Sequence, residues 1–152
     1  MSQPDLYLPT DEFVATALLS DLLPVPAATS LPKLDSWPVY LNTIRGFCTV
    51  SVVGGGANEN PLEDPVVSVG TWASVPGWDR PQWGAAAQLA AVVWSAAGNR
   101  FEPQTYRQSD KYAYALVSSL SRVARPRRIP DPDASMAHFE TEVRIHYVPT
   151  DA

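Results

Sequence analysis

Cysteine and histidine are scarce in this sequence of 152 residues. Cys48 is the single cysteine, and His138 and His146 are the two histidines. One thiol excludes an internal disulfide framework and any zinc site built from several cysteines. Two imidazoles leave few ligands for a metal centre. We therefore expect no metal ion and no other cofactor.

Acidic side chains outnumber basic ones, and the sequence has no long apolar run. The chain has 11 Lys and Arg against 16 Asp and Glu, a formal net charge of −5. This argues against a generic nucleic-acid coat but leaves room for a local basic patch. The longest weakly polar stretch, Gly84 to Gly98, is shorter than the ~20 residues that cross a bilayer, and the first residues do not resemble a signal peptide. We expect synthesis in the cytoplasm and no membrane partner.

Proline and tryptophan, in contrast, are abundant. Fifteen prolines and five tryptophans indicate many loops and strand ends around an aromatic-rich core. The length fits a single domain over residues 1–152. With 45% hydrophobic and 18% charged residues, the composition is that of a globular protein rather than a disordered or fibrous one.

The first predicted helix begins after Thr10, which can act as its N-cap. Asp11 and Glu12 suit the positive end of the helix dipole, and Pro24 ends the helix. Residues 24–46 contain several prolines and predict a meandering connection.

The second predicted helix runs from about Arg80 to Ala97. Asp79 and Gln82 have the spacing of a capping box, and Gly98 is a natural C-terminal stop. One stripe of this helix is apolar and is expected to pack on a sheet. The stripe comprises Ala86, Ala90, Val93, Trp94 and Ala97.

Four strands are predicted. Phe47–Val53 and Val66–Ala73 form an antiparallel pair, since the ~10 residues between them are too few for a helical crossover. Two more lie near Tyr112–Ala124 and Met136–Val148. The last strand alternates an apolar face with a polar one. The polar face carries Met136, His138, Glu140, Glu142, Arg144 and His146. These elements predict an α+β fold of order α-β-β-α-β-β, with helices on one face of an antiparallel or mixed four-stranded sheet.

Two patterns that suggest chemistry have simpler explanations. Gly54, Gly55 and Gly56 are not followed by the Gly-Lys-Ser/Thr of a phosphate-binding loop, so a flexible hairpin loop is favoured. Cys48 lies in line with Val50, which favours a buried, inert thiol.

The polar face of the last strand also lacks a catalytic or metal-binding arrangement. Neighbouring side chains such as Glu140 and Glu142 stand ~6.5–7 Å apart along a strand, and Arg144 lies among them. A solvated or interface-forming strand is therefore favoured. We expect that the protein is not an enzyme.

A basic cluster stands out against the acidic total. Arg122, Arg125, Arg127 and Arg128 place four guanidinium groups in seven residues. Two interpretations stay open: a solvated strand end, or a patch that meets an acidic partner, a neighbouring subunit or DNA. Aromatic residues are not interleaved with the arginines, which argues against stacking on single strands.

The order of elements resembles the tail terminator family of phages with long, non-contractile tails. The resemblance rests on a short proline-ended helix, the strand Phe47–Val53 before a glycine-rich loop, and Val66–Ala73. It continues through the alanine-rich helix Ala85–Ala97 and two closing strands, the last of which ends with Phe139–Tyr147. It implies a structural subunit of the virion neck, without catalytic residues.

The resemblance also implies partners. Six copies would form a ring that caps the tail tube, ends tube polymerisation and docks on the head-side connector, while genomic DNA passes through the lumen. The candidate contacts with partners or the lumen are Arg122, Arg125, Arg127, Arg128, Gly54, Gly55, Gly56, Glu140, Glu142 and Arg144.

Other classes remain open. One is a different head–tail connector or head-completion subunit, and another is a small non-viral α+β module that binds a ligand or nucleic acid. A third is an enzyme with a site around His138 and His146.

Overall fold

The structure is a computed structural model that describes residues 6–55, 62–78, 80–98, 101–133 and 135–150. Within these ranges the chain forms two α-helices, seven β-strands and a turn of 3-10 helix at Leu34–Ser36. The elements are α1 (Asp11–Leu22), β1 (Ala27–Ala28), β2 (Val39–Leu41), β3 (Ile44–Gly54), β4 (Val66–Ser74), α2 (Trp83–Gly98), β5 (Gln104–Arg107), β6 (Tyr114–Arg128) and β7 (Ala137–Thr150). Neither of these two helices is long and apolar enough to span a bilayer.

The strands form one mixed, curled sheet. Its order is β1-β3-β4-β7-β6-β5, with β2 also pairing with β3. β1 runs parallel to β3, whereas the other strand pairs in the described ranges are antiparallel. Long strands therefore occupy the middle of the sheet, and short ones lie toward its margins.

The predicted four-stranded sheet of order α-β-β-α-β-β is wrong, because the chain is mostly strand and its sheet has seven strands. The extra strands are too short to show a period in the sequence. β1 and β2 form in the proline-rich connection, and β5 follows α2. β1 depends on a distant partner, since the Cys48 N–H donates to the Pro26 carbonyl at 3.1 Å.

Helix α1 begins directly after Thr10, as the sequence predicts. The Thr10 hydroxyl accepts a hydrogen bond from the Phe13 N–H at 3.2 Å, which confirms Thr10 as the N-cap. The helix ends at Leu22, just before Pro24. Its buried side chains are Val14, Ala15, Leu18 and Leu19.

Helix α2 is shorter at its start than predicted, since it begins at Trp83 rather than Arg80. Of the two predicted capping-box residues, Asp79 lies outside the described residues. The predicted apolar stripe is buried except for Trp94, which is only half-buried. The buried residues of α2 are Ala85, Ala86, Leu89, Ala90, Val93 and Ala97. These small side chains let the helix approach β4, β6 and β7 closely.

The main core lies between the two helices and one face of the sheet. The predicted antiparallel pairing of β3 with β4 is confirmed, with Cys48 opposite Thr71 and Val50 opposite Val69. Val143 and Ile145 of β7 complete the apolar floor and are fully buried. Apolar burial of this kind is the main stabilising contribution, at about 25 cal/mol per Å².

The opposite sheet face carries a smaller aromatic row. Phe47, Trp72 and His138 are directly opposite one another on three adjacent strands. Trp37, which is only 1% exposed, covers the row from the connection before β2. Its indole N–H donates to the Pro32 carbonyl at 3.0 Å. This row makes His138 a buried residue on a face that was predicted to be polar.

Candidate interaction surface

The predicted arginine cluster lies at the end of β6, and we call Arg122, Arg125, Arg127 and Arg128 the arginine strip. β5 covers β6 only from Tyr114 to Val117. From residue 118 to residue 128, the outer edge of β6 has no strand partner among the described residues. The strip is therefore exposed along a sheet edge.

Three of the four arginines lie over tryptophan rings of helix α2. The Arg122 guanidinium is 4.6 Å and that of Arg125 is 5.7 Å from the ring centroid of Trp94. Arg128 lies 4.7 Å from the ring centroid of Trp83. The two tryptophans are eleven positions apart, about three helical turns and so about 16 Å on one side of the helix. The distance between the two tryptophans is therefore similar to the length of the arginine strip along β6.

Arg122 also caps the helix. Its Nε donates to the Trp94 carbonyl at 3.0 Å, near the C-terminal end of α2. A positive charge there is favourable at the negative end of the helix dipole. A side chain at Gly98 would collide with this guanidinium. Arg122 therefore has a structural role in addition to its exposed charge.

Two β-bulges explain how the arginines reach both faces of the sheet. The register of β6 against β7 shifts between Arg122 and Ala124 and again before Arg127. Each bulge inserts one residue and reverses the alternation. Arg127 therefore lies on the face opposite the helices, where its Nη2 is 3.3 Å from Glu140 Oε2.

The remaining polar residues of β7 form a shallow groove with β6. The Ser121 hydroxyl and His146 Nε2 are 2.9 Å apart. Arg144 Nη1 is 4.0 Å from Asp64 Oδ2, and Arg144 Nε is buried without a hydrogen-bond partner among the described residues. Val123, 46% exposed, completes the rim. The groove offers hydrogen-bond donors suited to an anion.

The predicted glycine contacts lie elsewhere. Gly54 ends β3 opposite Val66, and Val66 lies opposite Arg144, so two strands separate this loop from β6. Gly55 has φ +126°, and a Cβ there would lie 2.9 Å from the Pro65 Cα. Gly55 is therefore explained by the turn geometry. Gly56 lies outside the described residues.

The two histidines are not brought together. They are eight positions apart on one strand, which corresponds to about 26 Å. His138 is stacked under Trp72, whereas His146 lines the groove. The described residues contain no group of His, Cys, Asp and Glu that could hold a metal ion. Glu142 lies opposite Ala124 on the polar face, with Glu140 two residues before it.

Cys48 is fully buried beneath the helices. Burial raises the pKa of its thiol to about 12, so it is protonated at neutral pH.

No protein-family model matches this chain, and no curated protein shows significant similarity to it. The function therefore has to be inferred from the surface itself. The arginines are visible in the sequence, but the contacts of three of them with Trp83 and Trp94 were not predicted. The eleven-residue spacing of the tryptophans, set against a basic strand of similar length, is the signal that could have revealed the contact.

Proposed function

We propose that this protein is a structural subunit of a bacteriophage neck. In this proposal, copies form a hexameric ring that caps the tail tube, ends tube polymerisation and joins the tail to the head-side connector. Genomic DNA passes through the ring without sequence-specific binding. The protein would act in the virion, at the junction of tail and head.

The observation that carries the proposal is the position of the charged residues. The arginine strip is exposed along a sheet edge that none of the described strands covers, and Glu142 and Arg144 lie on the face of the sheet opposite the helices. Such residues serve subunit contacts better than they serve a reaction, which needs groups that converge on one substrate atom. The sequence resemblance to tail terminators supports the same role.

The experiment is a native mass measurement with and without the tail tube. A hexamer of 16.5 kDa subunits has a mass of about 99 kDa. We expect this species in light scattering at high micromolar concentration, or rings at tube ends in electron micrographs when tubes of the same phage are added. A protein that stays monomeric in both conditions and leaves tube ends bare would contradict the proposal.

A second candidate is a nucleic-acid-binding module, favoured by the exposed side chains of Arg127 and Arg144, which are 56% and 43% exposed. Duplex DNA would then bind with an affinity that falls steeply with salt. Arg127→Glu with Arg128→Glu would abolish that binding. Arg45→Gln is a matched control, because Arg45 is bonded to the Asp35 and Trp37 carbonyls, three strands away from β6.

A further inference from the structure

The arginine strip is unsuited to pairing with another strand. Its edge contains Pro126, which has no N–H to donate, and the β6 register shifts three times between Val117 and Arg127. Bulges, proline and charge are the features by which proteins block strand addition at a sheet edge. A partner at this edge is therefore recognised through side chains, and the chemistry of those side chains calls for carboxylates.

Carboxylates are concentrated at another part of the same molecule. We call Asp11, Glu12, Glu63 and Asp64 the acidic corner. Asp11 and Glu12 lie in the first turn of α1. The loop before β4 adds Glu63, whose backbone pairs with Tyr147 of β7, and Asp64. The Tyr147 hydroxyl donates to Asp11 Oδ1 at 2.6 Å and so ties the helix to this end of β7.

The two charged regions are too far apart to neutralise each other within one subunit. Arg127 lies opposite Glu140 on β7, whereas the acidic corner adjoins Tyr147, seven residues along. That separation is about 23 Å along the strand, and Arg122, at the near end of the strip, lies opposite Val143, about 13 Å from Tyr147. In addition, β6 lies on one side of β7 and the loop before β4 lies on the other. Each subunit thus presents opposite charges on two different sides.

We propose that the arginine strip of one copy binds the acidic corner of the next copy. The contact is heterologous, because two different surfaces of the same chain meet, and a rotation that closes turns such contacts into a ring. This inference rests on the proposed ring and names the surfaces that form it. Charge complementarity selects the partner, since the overall charge of −5 otherwise makes copies repel.

The test is a charge exchange between the two surfaces. The strip variant carries Arg125→Glu, Arg127→Glu and Arg128→Glu, which takes the strip from a charge of +4 to −2 and spares Arg122. The corner variant carries Glu12→Lys, Glu63→Lys and Asp64→Lys, which takes the corner from −4 to +2 and spares the Asp11 bond to Tyr147. Each variant alone places like charges at every contact. We expect the concentration for half assembly to rise at least about tenfold for each.

Mixing the two variants is the decisive measurement. In an equimolar mixture every contact between unlike copies has opposite charges again, so rings return with alternating composition. Alternation closes only with an even number of copies, as in a hexamer. The chain that carries all six substitutions is also expected to assemble alone. Recovery in the mixture shows that the two separate variants were folded.

The outcomes separate this inference from the proposed function. Rings that form equally well with either variant overturn the charged contact and leave the ring intact. Loss of assembly in both variants without recovery in the mixture also overturns it. A strip variant that loses duplex DNA binding but keeps its rings assigns the strip to nucleic acid and overturns the contact. A wild-type chain that never assembles, alone or on tubes, overturns the ring itself.

Discussion

The imidazole of His138 stacks on the indole of Trp72, with ring centroids 3.7 Å apart and an interplanar angle of 13°. The stack buries His138 and leaves its Nε2 without a hydrogen-bond partner among the described residues. Loss of water around the ring lowers the pKa of His138, against the opposing influence of Glu140 and Asp131. The residue is therefore neutral in the folded protein at neutral pH.

We expect the free energy of unfolding to fall as the pH drops, in part because of His138. Because the folded pKa of His138 lies below its unfolded value of about 6.5, the unfolded chain takes up the proton first. The stabilising contribution of neutral His138 is complete above its pKa in the unfolded chain. It is lost as the pH falls through its lower pKa in the folded protein. His138→Phe keeps a flat ring on Trp72 but removes the titration. Urea unfolding at pH 5 and 7.5 should show a smaller loss of unfolding free energy for His138→Phe, and equal losses would refute the assignment.

Gly70 makes room for the same aromatic row. A Cβ at Gly70 would collide with Thr49 Oγ1 and would lie 3.0 Å from both Trp72 Nε1 and His138 Nε2. Gly70→Ala would therefore break the hydrogen bond that Trp72 Nε1 donates to Thr49 Oγ1. We expect a loss of about 1–3 kcal/mol in the free energy of unfolding.

The control for this prediction is Gly84→Ala in helix α2, where an added Cβ meets no atom within 4 Å. Alanine is the better helix former, so this variant should gain up to about 1 kcal/mol. Denaturant melts of the two variants should shift in opposite directions. A Gly70→Ala protein as stable as wild type would show that the row tolerates the extra methyl group.

Periodicity predicted the long elements and missed contacts that depend on other strands. The alternation of β7 correctly places Val143 and Ile145 in the core. It wrongly placed His138 with the exposed polar residues, because His138 is covered by Trp72 on the neighbouring strand β4. No pattern within one strand contains that information.

The candidate surface could be predicted only in part, because it also depends on contacts that no local pattern contains. The arginines are visible as a local run, but their faces depend on bulges at Val123 and before Arg127, which single-residue insertions create without a sequence signature. Trp94 was assigned to the apolar stripe of α2 by its spacing alone. Its ring instead lies under Arg122, since a planar guanidinium can cover an aromatic face while its charge stays in water.

Cys48 should be unreactive until the protein unfolds. Burial raises the pKa of its thiol to about 12, so almost no thiolate exists at pH 8. We expect a disulfide reagent such as DTNB to label the native protein only as fast as the chain opens, and to label it at once in 6 M guanidinium chloride. Rapid labelling of the native state at pH 8 would mean that Cys48 is accessible.

Arg122 and Gly98 should be energetically coupled, because the guanidinium occupies the space that a side chain at Gly98 would need. Arg122→Ala removes the bond to the Trp94 carbonyl and the contact with its ring, at a cost of about 1–2 kcal/mol. Gly98→Ala displaces the same guanidinium and should cost a similar amount. In the Arg122→Ala background, however, Gly98→Ala should be neutral or stabilising by up to about 1 kcal/mol.

A double-mutant cycle by urea unfolding measures the coupling, which we expect to exceed about 1 kcal/mol. Additive effects of the two substitutions would show that Arg122 does not cap the helix in solution.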